Sequence, residues 1–199
     1  TTLFRSQAQP SYLYFPGCQL AASTPKIVWR SYHDLRSRLP GGTGIMLGCC
    51  GIMAKWAGRM DLYKETIEQL KKSWESLGCP EVVTACPACL TSLSESIPRM
   101  HCTGVWEILH TFGLPDTAWP ESPPLRIHDA CQARNSPEIR EQIRLLAHTC
   151  GYSISEGNYT GTSSGCCGYG GLTQFSNPSL ADEMAGQCIS DTASPFLTY

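Results

Sequence analysis

The sequence carries little charge, and its charges are nearly balanced. Only 16% of its 199 residues are Asp, Glu, Lys or Arg, and 15 basic against 17 acidic side chains leave a formal net charge of −2. Because there is no basic excess and no Lys/Arg run, a nucleic-acid partner has no electrostatic support. Apolar runs long enough to cross a bilayer are absent, as is a charged-then-apolar leader, so we expect no membrane span.

Motifs for several common activities are missing as well. The sequence contains no GxGxxG, no P-loop, no nucleophile elbow and no pattern typical of a His-containing triad, so nucleotide binding and triad hydrolysis are unsupported. It begins with Thr1-Thr2 and not with methionine. We therefore expect the chain to be a processed or excised piece of a longer product.

Cysteine is the residue in excess, with 12 copies. In a short secreted domain this number would indicate disulfides. Here the cysteines form CC and CxxC clusters, no secretion signal is visible, and vicinal cysteines rarely pair because the ring they would form is strained. We therefore favour a metal or iron–sulfur site in a reducing compartment and expect a cytoplasmic protein, free or attached to a membrane through a partner.

Two segments of the first half recur in the second. Residues 15–19, FPGCQ, have a counterpart in residues 128–132, HDACQ, and residues 47–51, LGCCG, match residues 164–168, SGCCG. The single cysteine precedes the CC pair by 31 positions in the first copy and by 35 in the second. The chain therefore contains two copies of one cysteine pattern.

The third element of this pattern is complete only in the first copy. Its CxxC, formed by Cys86 and Cys89, begins 36 positions after Cys50. In the second copy the equivalent approach is residues 196–199, where the sequence stops. We expect the second copy to be truncated before its CxxC; a misread selenocysteine codon after Tyr199 is the alternative.

Short β-rich runs alternate with amphipathic helical stretches. The predicted strands are residues 11–16, 43–47, 81–85, 125–130 and 195–199. The predicted helices are residues 63–77, 139–150 and 178–193. This alternation indicates an α/β fold of two pseudo-symmetric halves, each with a small, mostly parallel sheet flanked by helices. The predicted domains are a first repeat at 1–114, a Pro-rich joint at 115–124 and a second repeat at 125–199.

The cysteines of the first copy follow predicted strands directly. In parallel sheets functional groups gather at the carboxyl ends of strands, so three distant segments would bring their sulfurs to one edge. Cys18, Cys49, Cys50, Cys86 and Cys89 are thus the candidate ligands of one site. Five thiolates exceed the four of a structural zinc site and the four of an ordinary cubane, which indicates an unusual cluster.

The whole pattern resembles the cysteine-rich CCG domain of the heterodisulfide reductase B-subunit family. That family includes iron–sulfur subunits of glycolate, lactate and glycerol-3-phosphate oxidoreductases. Residues 14–18, 49–51 and 86–89 match its first copy, and residues 128–131 and 165–168 match its second. The resemblance implies two α/β halves, each able to hold a [4Fe–4S] cluster, which in heterodisulfide reductases is noncubane. Zinc, which some relatives bind at one motif, is the alternative.

The resemblance also implies a second site, for which this sequence supplies Cys131, Cys166 and Cys167. Because the second CxxC is missing, we expect this site to be incomplete unless further ligands come from elsewhere in the chain. Cluster binding is therefore predicted for the first site, and two-cluster disulfide chemistry for a longer parent protein.

Other residues near the motifs have both a functional and a structural interpretation. His128 either binds or donates to a sulfur, or is a structural histidine at a strand end. Lys55 and Arg59 either offset the charge of a cluster or are solvated surface residues. The backbone of residues 169–171 either reaches a cluster or forms a tight turn. Cysteines outside the motifs are assigned to core packing, the usual place of a free cysteine: Cys79, Cys102, Cys150 and Cys188.

The function that the resemblance implies is that of a redox subunit or fused domain. It would reduce a small disulfide by two electrons or transfer electrons, with iron–sulfur or flavoprotein subunits as partners. The first alternative is a pure electron carrier for a flavin-dependent glycolate, lactate or glycerol-3-phosphate oxidoreductase. The second is a zinc-binding structural module without catalysis.

Overall fold

The structure is a computed structural model whose described residues are 3–5 (backbone only), 9–115, 124–157, 159–189 and 195–199. Its contacts divide the chain into two compact units, residues 1–115 and 116–199. Most of the predicted joint, residues 116–123, lies outside the described part of the chain. The domain boundaries predicted from the sequence remain predictions.

Unit 1 alternates strands and helices. Its strands are β1 (Leu3–Arg5), β2 (Tyr12–Phe15), β3 (Thr43–Leu47), β4 (Glu81–Thr84) and β5 (Cys102–Gly104). Its helices are α1 (Cys18–Ser23), α2 (Pro25–Arg38), α3 (Ile52–Trp56), α4 (Met60–Ser76), α5 (Pro87–Ser96) and α6 (Val105–Phe112). The strand order is β1-β3-β2-β4-β5, in which only the β1–β3 pair is antiparallel.

Both faces of this sheet are covered, which explains why its strands are apolar at consecutive positions. On one face Leu13 and Phe15 of β2 pack with Trp74 of α4 and Leu93 of α5. On the other face Tyr14 of β2 packs in a cluster with residues of α2 and α6. The central strand β2 is therefore held from both sides, and the loop that follows it begins from a rigid position.

Unit 2 repeats this arrangement on a smaller scale. Its strands are β6 (Leu125–His128), β7 (Ile154–Ser155) and β8 (Phe196–Thr198), and its helices are α7 (Pro137–Thr149), α8 (Thr173–Ser176) and α9 (Pro178–Ile189). All pairs are parallel in the order β7-β6-β8, the same order as β3-β2-β4 in unit 1. The predicted α/β fold with two small, mostly parallel sheets flanked by helices is therefore confirmed.

The predicted elements agree with the structure to within a few residues. Residues 190–193 of the third predicted helix lie outside the described residues. The strands β1, β5 and β7 were not predicted; each has two or three residues, too few to show a periodic pattern. Within the described ranges no helix is both long and apolar enough to cross a membrane.

Candidate metal centre

Three strand ends of unit 1 deliver the five candidate cysteines to one place. Cys18 begins α1 three positions after β2, the CC pair begins two positions after β3, and Cys86 comes two positions after β4, directly before α5. Because β3, β2 and β4 are adjacent and parallel, their carboxyl ends share one edge of the sheet. The expected convergence at a sheet edge is what this topology produces.

The five sulfurs form one continuous series of contacts. Cys18 Sγ lies 3.6 Å from Cys49 Sγ, and Cys89 Sγ lies 3.3 Å from Cys50 Sγ. Cys50 also acts on the pKa of its neighbour Cys49, and Cys89 on that of Cys86, so the two pairs and Cys86 belong to one group. None of the five is in a disulfide. The five cysteine sulfurs are therefore close together and free of disulfides, so that a thiophilic metal or cluster could bind them.

Two glycines permit this close approach. Gly17 has φ +83°, and a Cβ there would lie 3.2 Å from Cys89 Sγ, so the loop before Cys18 packs directly on the CxxC. Gly51, the glycine of the first CCG, has φ +78°, and a Cβ would lie 3.0 Å from the Tyr63 ring. A left-handed backbone against a neighbour suits glycine alone, which explains the residue that follows the CC pair.

A hydrogen-bond network of Ser92, Tyr63 and Ser96 holds the CC loop against helix α5. Ser92, on the CxxC helix α5, donates to the Cys50 carbonyl at 3.2 Å. Its hydroxyl also lies 3.0 Å from Tyr63 Oη, which is 2.6 Å from Ser96 Oγ. Cys50 and Cys89 are themselves 1% and 3% exposed. The CC loop and the CxxC helix are thus joined by polar contacts as well as by sulfur.

Interactions among the five sulfurs shift their pKa values in opposite directions. The hydrogen bond from Cys18 lowers the pKa of Cys49 to about 2, and that from Cys89 lowers the pKa of Cys86 to about 6. The bond to Cys49 raises the pKa of Cys18, and a bond to Cys49 also raises that of Cys50 to about 11. The bonds to Cys50 and to Cys86 raise the pKa of Cys89. Thiolates, the metal-binding form of cysteine, are therefore already favoured at Cys49 and Cys86.

The cations considered for charge compensation are engaged elsewhere. Lys55 Nζ lies 3.4 Å from a Glu95 carboxylate oxygen and 5.5 Å from the centre of the Tyr63 ring. Arg59 pairs with Asp61 at 2.7 Å, and both side chains are exposed. Their interpretation as surface residues is therefore the one that the structure supports.

Unit 2 groups its motif cysteines beside a histidine. Cys131 follows β6, and its pKa is raised by burial and by the charges of Cys166 and Cys167. His128, at the end of β6, lowers the pKa of Cys167 to about 7. This effect agrees with the interpretation in which His128 interacts with a cysteine sulfur. Gly171, with φ +63°, lies in a single helical turn, as the tight-turn interpretation of residues 169–171 predicts.

An ion pair at the carboxyl end of β6 was missed by the sequence reasoning. Asp129 is fully buried and accepts both guanidinium N–H groups of Arg144 at 3.0 and 2.9 Å, the Gly161 N–H at 2.6 Å and the Tyr199 hydroxyl at 2.6 Å. Burial alone would raise the pKa of Asp129, but these donors hold it at about 2. The aspartate within the HDAC motif could have suggested this role.

Two of the four cysteines assigned to core packing lie elsewhere. Cys79 is exposed, because it follows the helix-ending Gly78 in a left-handed turn with φ +60°. Cys188 lies beside the second CC pair, with its sulfur 3.6 Å from the Cys166 carbonyl oxygen. Cys102 does pack against the core of unit 1, and Cys150 is half-buried at the end of α7. The assignment was therefore wrong for Cys79 and incomplete for Cys188.

The donor chemistry distinguishes between kinds of bound group. Within the described residues, no three or more His, Cys, Asp or Glu side chains already surround a position for a single ion. A tetrahedral zinc holds four sulfurs at about 2.3 Å. The five soft donors of unit 1, supplied by three loops, are one more than a zinc site or an ordinary cubane takes, and thiolates of this kind bind iron–sulfur clusters as well as zinc.

Comparison with known proteins places this arrangement in a family. A cysteine-rich domain family, CCG, matches residues 12–94 and 125–194, the two units in turn and more than half of the chain. The chain belongs to the CCG family. The matched ranges include all the motif cysteines of this sequence: Cys18, Cys49, Cys50, Cys86, Cys89, Cys131, Cys166 and Cys167.

The chain is also similar in sequence to the EtfAB:quinone oxidoreductase of Syntrophomonas wolfei subsp. wolfei. It is 24% identical over 174 residues, which cover 80% of this CCG chain. The chain spans only about a quarter of that relative, 24% of its length. Family and relative together support an iron–sulfur redox module in general terms.

Proposed function

We propose that unit 1 holds one iron–sulfur cluster of the [4Fe–4S] type on Cys18, Cys49, Cys50, Cys86 and Cys89, and that the chain serves electron transfer within a larger oxidoreductase. The observation that carries this proposal is the continuous series of five sulfurs at one sheet edge. A bound cluster would accept and pass on single electrons.

The chain's own residues prepare the site in three ways. Gly17 and Gly51 let the loops approach closely enough for the sulfurs to meet. Ser92 and Tyr63 hold the CC loop against the CxxC helix. Burial of Cys50 and Cys89 keeps water from two of the ligands, which is one of the properties that set a cluster potential.

Iron–sulfur is favoured over zinc by the number of sulfurs. A structural zinc site takes four ligands, so a fifth thiolate would stay unpaired beside it in a buried place. A group with several irons can use five thiolates, one of them as a bridge or in reserve. The noncubane form of heterodisulfide reductases is therefore part of this proposal.

Electron transfer is favoured over disulfide reduction by the relative. Its name describes an oxidoreductase between EtfAB and quinone. We extend from it only the role of an electron-transfer module whose partners are redox subunits, an iron–sulfur protein or a flavoprotein. Disulfide reduction at the cluster, implied by the resemblance to heterodisulfide reductases, is the second candidate.

The cluster is tested by anaerobic purification followed by iron and acid-labile sulfide determination and EPR. We expect about four irons and four sulfides per chain at unit 1. The Cys89→Ser variant should lose them, whereas Cys102→Ser, a matched core cysteine of the same unit, should retain them. A colourless protein with stoichiometric zinc and no sulfide would refute the proposal.

The two redox roles separate in a second experiment. The reduced protein is mixed anaerobically with a soluble quinone or with small disulfides, and oxidation is followed through the visible absorbance. An electron carrier reduces the quinone and releases no thiol. Stoichiometric release of two thiols per disulfide would instead establish disulfide reduction.

A further inference from the structure

Helix α2 of unit 1 carries a concentration of positive charge in a chain whose formal net charge is −2. Its 14 residues include four basic side chains and one acidic side chain. Arg38 pairs with that acid, Asp34, at 2.7 Å. The other three, Lys26, Arg30 and Arg36, are exposed and form no ion pair with any part of the chain that the structure describes. These three cations are therefore available to a partner.

The three cations share one side of α2 with an aromatic pair. At 3.6 residues per turn, positions 26, 29, 30, 33 and 36 fall on the same side of a helix. Trp29, which is 51% exposed, and His33 lie among the cations with their ring centres 4.3 Å apart, edge to face. None of the five positions holds an acidic residue. We call this side of α2, formed by Lys26, Trp29, Arg30, His33 and Arg36, the basic–aromatic face.

The opposite side of α2 is buried in unit 1. Val28, Tyr32 and Leu35 pack in one cluster with residues of the sheet, and the Tyr32 hydroxyl donates to the Thr43 carbonyl at 3.2 Å. A helix that binds a lipid surface inserts its apolar side. Because the apolar side of α2 is already inside the core, the basic–aromatic face is held rigidly and fits a protein surface better than a membrane.

The basic–aromatic face begins at the end of unit 1 that carries the cysteines. The chain leaves β2 at its carboxyl end, forms α1 from Cys18 onward and enters α2 at Pro25. Helix α2 then leads to β3, which is parallel to β2, so the helix runs away from the cysteine edge. Lys26, Trp29 and Arg30 lie in its first two turns, the half nearer to the cysteines. A protein bound there would lie at the same end of unit 1 as the cysteines.

We propose that the basic–aromatic face is the docking surface for a partner protein with an acidic surface, the subunit that exchanges electrons with this chain. The identity of that partner rests on the proposed electron-transfer function, whereas docking itself requires no cluster. Cations without an acidic neighbour attract and orient an acidic surface. Tryptophan and arginine are enriched among the residues that dominate the energy of protein–protein binding, so Trp29 is expected to be the central contact.

The test is binding of the full chain to a flavodoxin, a small acidic flavoprotein that carries single electrons, with association rate and Kd measured at low and high salt. We expect saturable binding that weakens as salt screens the charges. The double variant Lys26→Glu with Arg30→Glu should lower the association rate at low salt at least about tenfold, the lower end of electrostatic steering. Trp29→Ala should raise the Kd about tenfold or more.

The matched control makes the same change of charge on the other side of the sheet. Lys64 and Lys72 are exposed on α4, which packs on the opposite face of the sheet from α2. Lys64→Glu with Lys72→Glu should keep the association rate within about threefold of the wild type, because these charges lie away from the docking surface. Circular dichroism of every variant checks that it is folded.

Two results would overturn the proposal. One is an equal loss of binding in the α2 and α4 double variants, or no saturable binding at all. The other is binding to phosphatidylglycerol vesicles or duplex DNA, but not to flavodoxin, that the α2 variant abolishes. Binding is measured on chains with and without iron. Binding that persists without iron supports docking whatever becomes of the cluster proposal, and loss of binding with the iron retained counts against docking alone.

Discussion

The two units use the same strand order to build two different cysteine groups. In unit 1 each of the adjacent strands β3, β2 and β4 is followed within three positions by a cysteine. In unit 2 Cys131 follows β6 just as closely, but the CC pair comes 11 positions after β7. Equal topology therefore does not guarantee equal sites, because the loops after the strands determine what reaches the sheet edge.

The two groups also differ in what holds them. Unit 1 relies on burial, close glycine contacts and the Ser92–Tyr63 network. Unit 2 leaves Cys167 exposed and fixes the end of β6 with the Asp129–Arg144 ion pair. Unit 1 therefore has two of its five cysteines buried in the core, whereas unit 2 has one exposed motif cysteine and two that are half-buried.

Replacing one cysteine by serine in each unit should give the largest difference between the two units. Cys89→Ser should abolish iron binding at unit 1, because Cys89 contacts both Cys50 and Cys86 within the sulfur series. Cys188→Ser should leave iron and sulfide unchanged. Metal analysis of the two variants after anaerobic purification measures this, and equal loss of iron from both would contradict separate sites.

Asp129→Asn should destabilise unit 2 by about 3–5 kcal/mol, the cost of removing one partner of a buried ion pair. The matched control is Glu156→Gln, which removes the other carboxylate on Arg144; because Glu156 is half exposed, its loss should cost less than about 1 kcal/mol. Urea denaturation gives the free energies of unfolding, and hydrogen exchange assigns the loss to a unit. Similar values for both variants would be inconsistent with a central role for Asp129.

The two CCG glycines provide a smaller contrast. Gly168→Ala should cost about 2–4 kcal/mol, from a left-handed backbone and a clash with the α9 backbone, which cannot move aside easily. Gly51→Ala meets side chains of α4 at 3.0 Å or more and should cost about 1–3 kcal/mol. Thermal unfolding of the two variants tests whether Gly168→Ala lowers stability more than Gly51→Ala does. The opposite order would show that the contact of Gly168 with α9 is unimportant.

Ser92→Ala should have the smallest effect, about 1–2 kcal/mol, because it leaves the Cys50 carbonyl and the Tyr63 hydroxyl each without one partner. Ser94→Ala on the same helix is the control. Denaturation curves measure the cost, and faster alkylation of Cys50 would show that the CC loop has loosened. A wild-type alkylation rate would mean that Ser92 does not hold the loop.

Much of the architecture could be predicted because it depends on patterns within short stretches of the sequence. Short β-rich runs located five strands, helical spacing located three helices, and the two copies of the cysteine pattern predicted the pseudo-symmetric halves. The strand-end rule then predicted that Cys18, the CC pair and the CxxC would share one edge. The strands β1, β5 and β7, of two or three residues each, were not predicted.

Long-range contacts account for what the sequence reasoning missed. Cys188 and Asp129 are ordinary residues in the sequence, and their roles depend on partners 22 and 15 positions away, Cys166 and Arg144. The Gly168 contact likewise exists only because α9 returns to the CC loop. Residue types and their spacing determined that sulfur would gather at sheet edges, because strand direction and period are local properties. The positions of Cys188 and Asp129 at the cysteine group of unit 2 depend on the packing of segments that are distant in sequence, and a local sequence pattern does not predict such packing.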